Sequence, residues 1–159
     1  MKIQVLFVCM GNICRSPTAQ GVFRDLVGKE GLSETIATDS AGTIDYHTGG
    51  KADRRARETA SKRGIDLSDL RARQVTIEDF EKFDYILAMD HSNFDDLNAL
   101  CPPGIEDRLH LFLDFAPNRK EQEVPDPYYG GAAGFERVFD LVEEASKGLL
   151  EHIRRENLS

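Results

Sequence analysis

The stretch IQVLFVCMGNICRSP, residues 3–17, joins an apolar run to a short loop and to the start of a helix. Residues 3–8 form a run that is apolar except at Gln4, which is typical of a strand covered on both faces of a parallel sheet. Ser16 is predicted to cap the helix, with Pro17 at its first position and Gly31 at its end. The helix would bury the apolar stripe Ala19, Val22, Phe23, Leu26 and Val27.

Further strands are predicted at residues 35–39, 85–89 and 109–113, and helical patterns lie between them. Helices are predicted over residues 52–63, after Thr76, after Asp90 as N-cap, and along an apolar face from Phe135 to Ile153. This alternation predicts one α/β domain over residues 1–159. It would be a three-layer, doubly wound parallel sheet of four strands, with helices on both faces. Sites in such sheets gather at the carboxyl ends of the strands, where Cys9, Ser40 and Asp90 are expected.

Composition excludes several classes of function. The 159 residues are 40% hydrophobic and 30% charged, as in soluble domains, and no apolar run approaches the roughly 20 residues of a membrane span. Met1 and Lys2 lead directly into the first strand, so no signal peptide and a cytoplasmic location are expected. A net charge of −8 disfavours nucleic acid as a partner. Three cysteines and four scattered histidines predict neither a disulfide framework nor a metal site, and no cofactor is expected.

The loop after the first strand carries groups that can bind and attack a phosphate. The field of a helix N-terminus and a nearby cation favour a thiolate at Cys9, and the Arg15 guanidinium matches two phosphate oxygens. Gly11 permits close approach of the backbone, and Asn12 tolerates a left-handed conformation. Ser16 could also donate a hydrogen bond to Cys9. The pattern indicates a cysteine-dependent phosphatase; the alternative is an inert core thiol beside a solvated arginine.

A proton donor for the leaving group is predicted at Asp126. Pro125 and Pro127 flank this carboxyl group and stiffen its loop. General acid catalysis needs such a group on a segment that reaches the nucleophile. An ordinary Asp-Pro turn ahead of the last helix is the alternative, and the residues alone leave both open.

The loop from Val8 to Ser16 resembles the signature loop of the low-molecular-weight protein tyrosine phosphatases. The resemblance continues through four further blocks in the family's order and covers nearly the whole chain. These blocks are Asp39-Ser40-Ala41-Gly42-Thr43, Ala72-Arg73-Gln74-Val75, residues 83–90 (FDYILAMD) and Asp126-Pro127-Tyr128-Tyr129-Gly130. The resemblance implies hydrolysis of phosphotyrosine in proteins through a phosphocysteine. Cys9 would be the nucleophile, Arg15 a phosphate ligand, and Asp126 first the general acid and then the general base.

Further roles follow from the resemblance. Phosphate or substrate would be bound by Met10, Gly11, Asn12, Ile13, Cys14 and Ser16, and the substrate ring would be flanked by Tyr46, Tyr128 and Tyr129. Cys14 would trap oxidised Cys9 as a disulfide, and Ser40 would help to hold the Asn12 backbone. The implied partners are tyrosine-phosphorylated proteins and a cognate tyrosine kinase. Inorganic phosphate or vanadate would inhibit a monomeric enzyme.

The chain departs from the family pattern at Leu70, where many members have a histidine that supports the loop asparagine. Support of Asn12 is therefore expected to rest on Ser16 and Ser40. The basic residues from Arg54 to Arg63, with Arg71 and Arg73, are interpreted as a solvated face.

The same residues also suggest rival functions. Arsenate reductase is disfavoured because Cys101 is the one cysteine outside the loop, whereas that chemistry needs a relay pair. Protein-arginine phosphatases resemble this loop but carry threonine where Ile13 stands, and isoleucine favours an aromatic phosphoester. A noncatalytic phosphoprotein-binding module or a phosphoryl carrier is the alternative from a different class, although a carrier would not need Asp126.

Overall fold

The computed structural model describes residues 2–116, 120–128 and 130–158. Within these ranges the sheet has four strands: β1 (Ile3–Cys9), β2 (Ile36–Gly42), β3 (Tyr85–Ala88) and β4 (Leu109–Leu111). All neighbouring strands are parallel, in the order β2-β1-β3-β4. The α-helices are α1 (Arg15–Lys29), α2 (Arg54–Lys62), α3 (Ile77–Lys82), α4 (His91–Leu100) and α5 (Ala132–Ile153). The predicted four-stranded parallel α/β sheet is confirmed.

The central strand β1 supplies side chains to two separate cores. Val5 and Phe7 pack on one face with residues of α1 and α5. Leu6 and Val8 pack on the other face with residues of α3 and α4. All four side chains are fully buried, which explains why residues 5–8 are uninterruptedly apolar. The sheet is thus the middle of three layers.

Two helix starts agree with the sequence analysis and one does not. Asp90 caps α4 by accepting a hydrogen bond from the Asn93 amide, and Thr76 caps α3. The prediction of Ser16 as the cap of α1 is wrong, because the loop winds directly into the helix and Cys14 is the N-cap. Ser16 already lies in the first turn, where its hydroxyl bonds to buried neighbours in the loop.

Two strand boundaries also differ from the predictions. Strand β2 runs to Gly42 and pairs with β1 along its whole length, so Ser40 lies inside the strand, opposite Phe7, and not after its end. A Cβ atom at Gly42 would lie 2.6 Å from the Met10 carbonyl oxygen, so glycine is required for the loop to approach this strand. Strand β4 ends at Leu111 and continues as a 3-10 turn over Phe112–Phe115, since β3 offers pairing partners only as far as Ala88.

The described parts of the chain contain no helix that combines the length and the apolar composition of a membrane span.

Stability is expected to fall in mild acid because of His110 on β4. Its ring packs against Tyr85 and Phe115. Burial, and then the nearby His152, lower the pKa of His110, while Asp114 and Asp107 oppose this shift. The unfolded chain has the ordinary histidine pKa of about 6.5, so below that pH it binds more protons than the folded chain. The free energy of unfolding should therefore decrease from about pH 7.5 to 5.5.

Urea denaturation of the parent and of His110→Phe at the two pH values measures this effect. The variant keeps an aromatic ring without a titrating group, so its loss of stability should be smaller than that of the parent. Equal losses in both proteins would assign the acid sensitivity to other groups.

Candidate active site

The loop between β1 and α1 is held by its carbonyl groups. Three of them accept hydrogen bonds from backbone N–H groups of neighbouring segments: Cys9 from Thr43 at 3.0 Å, Met10 from Ile44 at 3.1 Å, and Ile13 from Asp53 at 2.7 Å. A trans peptide points its C=O and N–H groups in opposite directions. The amides of residues 10, 11 and 14 therefore turn away from these neighbours and toward the inside of the loop. Together with the N-terminus of α1 they form a site suited to an anion.

Asn12 ties the loop to two distant segments. It has a left-handed backbone conformation, with φ 57°. Its Oδ1 atom accepts a hydrogen bond from the Arg73 amide at 3.0 Å. Its Nδ2 atom donates to the hydroxyl oxygens of Ser16 at 2.8 Å and Ser40 at 3.0 Å. Ser40 thus belongs to the network around Asn12, which it contacts through the Asn12 side chain, and Leu70 packs in the apolar core.

The Cys9 sulfur lies at the end of β1, at the carboxyl edge of the sheet. Its Sγ atom is 3.0 Å from the Ser16 Oγ atom, and Cys9 is 2% exposed. A hydroxyl at this distance can donate a hydrogen bond to a thiolate. The nucleophile predicted from the sequence therefore has a polar partner on the first turn of α1.

Arg15 is buried but remains charged. Its Nη1 atom donates to Asp90 Oδ2 at 2.6 Å and to the Val124 carbonyl at 3.0 Å. Burial by itself would lower the pKa of Arg15, but the charge of Cys9 and the hydrogen bond to Asp90 raise it above its ordinary value. Both of these hydrogen bonds to described residues are made by Nη1. The edge of the guanidinium that carries Nε and Nη2 is therefore the one that can bind two oxygens of a ligand.

Asp126 lies near the other terminal nitrogen of Arg15, Nη2. Its Oδ2 atom is 3.8 Å from Arg15 Nη2, and its Oδ1 atom accepts a hydrogen bond from the Tyr128 amide at 3.0 Å. The Val124 amide donates to the Met89 carbonyl at 2.8 Å, which anchors this loop to the end of β3. The Asp126 side chain is 40% exposed, so it can reach a bound molecule.

These groups open on a pocket of about 260 Å³. It is lined by Cys9, Met10, Gly11, Ile13, Cys14, Arg15, Ile44, Tyr46, His47, Asp126 and Tyr128. The structure thus brings together most of the predicted site, and adds Ile44 and His47 to it. Asn12 and Ser16 do not line this pocket, because their side chains are buried and bond to each other. Their binding of phosphate or substrate stays a prediction. The prediction for Tyr129 lies outside the described residues.

The second thiol of the loop, Cys14, lines the same pocket but differs electrostatically from a thiolate site. Burial, followed by the negative charge of Asp53, raises the pKa of Cys14 far above its ordinary value, and Arg55 only partly opposes this. This shift favours the neutral thiol over the thiolate at Cys14. It packs with Ile13 and Phe135 in a small apolar cluster.

Three supporting residues were missed or misread from the sequence. Asp90 was predicted as a helix cap at the carboxyl edge of the sheet, but its contact with Arg15, made by its second carboxylate oxygen, was not predicted. Arg73 was placed on a solvated face, but its guanidinium bonds to Asp39 and Asp79, which positions its amide on Asn12. Gln20 was not singled out, although a polar side chain beside the apolar stripe of α1 was a detectable signal. Its Oε1 atom accepts a hydrogen bond from Ser40.

The fold and the pocket define an α/β protein with a cysteine- and arginine-containing anion site at the carboxyl edge of a parallel sheet. A family model described as low molecular weight phosphotyrosine protein phosphatase matches residues 4–158. The chain therefore belongs to that family and is a hydrolase of the protein-tyrosine-phosphatase class, as predicted.

Individual relatives agree with this assignment. The low molecular weight phosphotyrosine protein phosphatase of Schizosaccharomyces pombe is 44% identical over 153 residues, which cover 96% of this chain and 97% of that protein. The human protein of the same description is 43% identical over 153 residues, covering 92% and 93%. A crystal structure of a protein tyrosine phosphatase from Entamoeba histolytica, with Hepes in the active site, has a TM-score of 0.94. It is 42% identical and covers 97% of this chain and 98% of that chain.

Proposed function

We propose that the enzyme removes phosphate from phosphotyrosine in proteins through a phosphocysteine intermediate. The observation that carries this proposal is that Cys9, Arg15 and Asp126 line one pocket. A thiol nucleophile, a permanent cation and an accessible carboxyl group are the three groups that the two steps require.

In the first step the Cys9 thiolate attacks phosphorus. The inward-facing amides and the Arg15 guanidinium bind the nonbridging oxygens and stabilise their charge in the transition state. The bond between phosphorus and the phenolic oxygen breaks, and Asp126 transfers its proton to that oxygen. Tyrosine leaves as the neutral phenol, and phosphate stays on the sulfur.

In the second step Asp126, now a carboxylate, accepts a proton from water as the water oxygen attacks phosphorus. The bond between sulfur and phosphorus breaks, Cys9 leaves as a thiolate and inorganic phosphate is released. The Ser16 hydroxyl, 3.0 Å from the sulfur, stabilises this leaving group. Every role in the two steps belongs to a side chain or amide of this chain, so a chelator should not inhibit.

The pocket walls favour an aromatic phosphoester over phosphoarginine. Tyr46 and Tyr128 lie at the mouth and can flank a planar ring. Ile13 lines the interior with apolar surface, whereas a guanidinium-linked phosphate would need polar partners at that depth. Arsenate reduction lacks support, because Cys101 lies at the end of α4 and does not line this pocket.

The enzyme's substrates, inhibitors, location and oligomeric state are part of what we propose. Its substrates would be tyrosine-phosphorylated proteins, among them a cognate tyrosine kinase. Phosphate and vanadate would compete for the anion site. All three cysteines are free thiols, and a reactive thiol beside a second one persists best in a reducing compartment. A monomer in the cytoplasm is the form that we propose.

The test is hydrolysis of p-nitrophenyl phosphate by the purified protein. Many turnovers per molecule, resistance to a chelator and competitive inhibition by vanadate are expected. A single stoichiometric release would instead indicate a phosphoryl carrier, and binding without release would indicate a binding module. Parallel assays with phosphotyrosine and phosphoarginine peptides decide the substrate. Higher kcat/KM for the phosphoarginine peptide would overturn the assignment to phosphotyrosine.

Reversible oxidation is a further expected property of the two loop thiols. Peroxide would convert the Cys9 thiolate to a sulfenic acid; the Cys14 thiol would then attack this sulfur, forming a disulfide and releasing water. The parent should recover its activity on treatment with dithiothreitol. Cys14→Ser should recover only a minor fraction, because its sulfenic acid is oxidised further. Recovery of Cys14→Ser to the parent level, with Cys101→Ser as the matched thiol control, would reject the protective role.

A further inference from the structure

The hydrogen-bond network behind the loop extends to a residue on α1 that does not line the pocket. Gln20 is 6% exposed, and its Oε1 atom accepts a hydrogen bond from the Ser40 hydroxyl at 2.6 Å. We propose that Gln20 is a positioning residue, which accepts the Ser40 proton and so keeps Asn12, and with it the hydrogen bond from Ser16 to Cys9, in place. The inference rests on the proposed role of Cys9 as the nucleophile.

The direction of these hydrogen bonds is set at Asn12. The Arg73 amide can only donate, so the atom that it meets must be the Asn12 oxygen. The Asn12 Nδ2 atom therefore faces the two serines, and each of its two protons goes to one hydroxyl oxygen. Neither serine can then return its own proton to Asn12. Both hydroxyl protons must find an acceptor elsewhere.

The two serines meet this requirement in different ways. Ser40 directs its proton to Gln20 Oε1, a carbonyl oxygen that cannot donate. Ser16 directs its proton to the Cys9 sulfur at 3.0 Å. Gln20 is thus the terminal acceptor on one branch, and the thiolate is the terminal acceptor on the other. Both chains of hydrogen bonds start at the Asn12 side-chain amide, so a change in the chain that ends at Gln20 affects the chain that ends at Cys9.

Removal of the Gln20 oxygen would leave the Ser40 proton without its acceptor in a buried site. A buried hydroxyl without a partner is costly, so Ser40 would reorient and compete for the space occupied by the Asn12 amide. Asn12 holds the loop in its left-handed conformation, at φ 57°. Its displacement would weaken the bond from Ser16 to the sulfur. Leu70, being apolar, offers no substitute acceptor.

The test is Gln20→Met, which keeps the length of the side chain and the propensity for helix but removes the acceptor. The rate of Cys9 alkylation by iodoacetamide is measured against pH, with the label localised by tandem mass spectrometry of the tryptic fragment 3–15. The midpoint of this profile should move to higher pH. The kcat/KM for p-nitrophenyl phosphate should fall by about three- to tenfold, the value of one hydrogen bond.

A double-mutant cycle with Ser40→Ala separates positioning from packing. In the proposal Gln20 acts on Asn12 only through Ser40. In the Ser40→Ala background, Gln20→Met should therefore cause no further change in kcat/KM or in the midpoint of the alkylation profile. An equal effect in both backgrounds, or no effect in the parent, would overturn the proposal. Failure of the nucleophile assignment is distinguishable, because it would appear as retained hydrolysis by Cys9→Ser. A silent Gln20→Met with an inactive Cys9→Ser would reject only the role of Gln20.

Discussion

Cys9→Ser is expected to lower kcat for p-nitrophenyl phosphate by at least about 10⁴-fold. A serine hydroxyl is not ionised near neutral pH and is a much weaker nucleophile than a thiolate. The replacement is close in size, and the contacts that shape the loop are made by other groups. The Asn12 side chain still bonds to Ser16, Ser40 and the Arg73 amide. The loss should therefore lie in the chemical step.

A binding measurement and a control variant distinguish a slower chemical step from a disrupted phosphate-binding site. Vanadate or phosphate binding, followed by calorimetry, should persist in Cys9→Ser because Arg15 and the inward-facing amides remain. Cys101→Ser is the matched control, since this thiol lies at the end of α4 and outside the pocket. Turnover by Cys9→Ser above about one hundredth of the parent value would refute Cys9 as the nucleophile.

Asp126→Asn is expected to lower kcat for phosphotyrosine peptides by about 10²- to 10⁴-fold, the usual contribution of a general acid. The loss for p-nitrophenyl phosphate should be much smaller, because p-nitrophenolate is a good leaving group and needs little protonation. An asparagine oxygen can still accept the hydrogen bond from the Tyr128 amide, so the loop should keep its conformation. The difference between the two substrates is thus the signature of proton transfer.

The control for this variant is Asp95→Asn, which removes one negative charge from an exposed position of α4. This variant should leave the ratio of kcat for the phosphotyrosine peptide to kcat for p-nitrophenyl phosphate unchanged. Steady-state kinetics over a pH series gives this ratio of kcat values for each protein. An equal loss on both substrates in Asp126→Asn would show that Asp126 positions Arg15 or the substrate and does not donate a proton.

Local sequence patterns were sufficient for much of the fold. The apolar run of β1 and the single apolar face of α5 report burial directly, since two-sided and one-sided burial leave different periodicities. Asp90 and Thr76 were recognised as helix caps because capping depends on residues within one turn. The boundary of β2 was missed because Ala41 and Gly42 have little strand propensity. Pairing with β1 overrides this weakness.

The candidate site also contains residues that local sequence patterns indicated and residues that they did not. Cys9 and Arg15 could be singled out because they share one short loop. Two prolines drew attention to Asp126, but its role as general acid came from the resemblance and stays a prediction. The roles of Asp90, Arg73 and Gln20 could not be read from their neighbours in sequence. Each of these side chains has an ordinary local interpretation: a cap, a surface cation, or a polar helix residue. Only their partners in space show that they brace the loop.

The chain's own order of residues was enough to establish the parallel sheet, the anion loop and the class of chemistry, because these depend on periodicity and on groups a few positions apart. The tertiary structure decided how the loop is held. Arg15 bonds to Asp90 across 75 positions of the chain, and Asn12 to Arg73 across 61. Such contacts form only when the parallel strands bring their carboxyl ends to one edge, and no short window of sequence contains both partners.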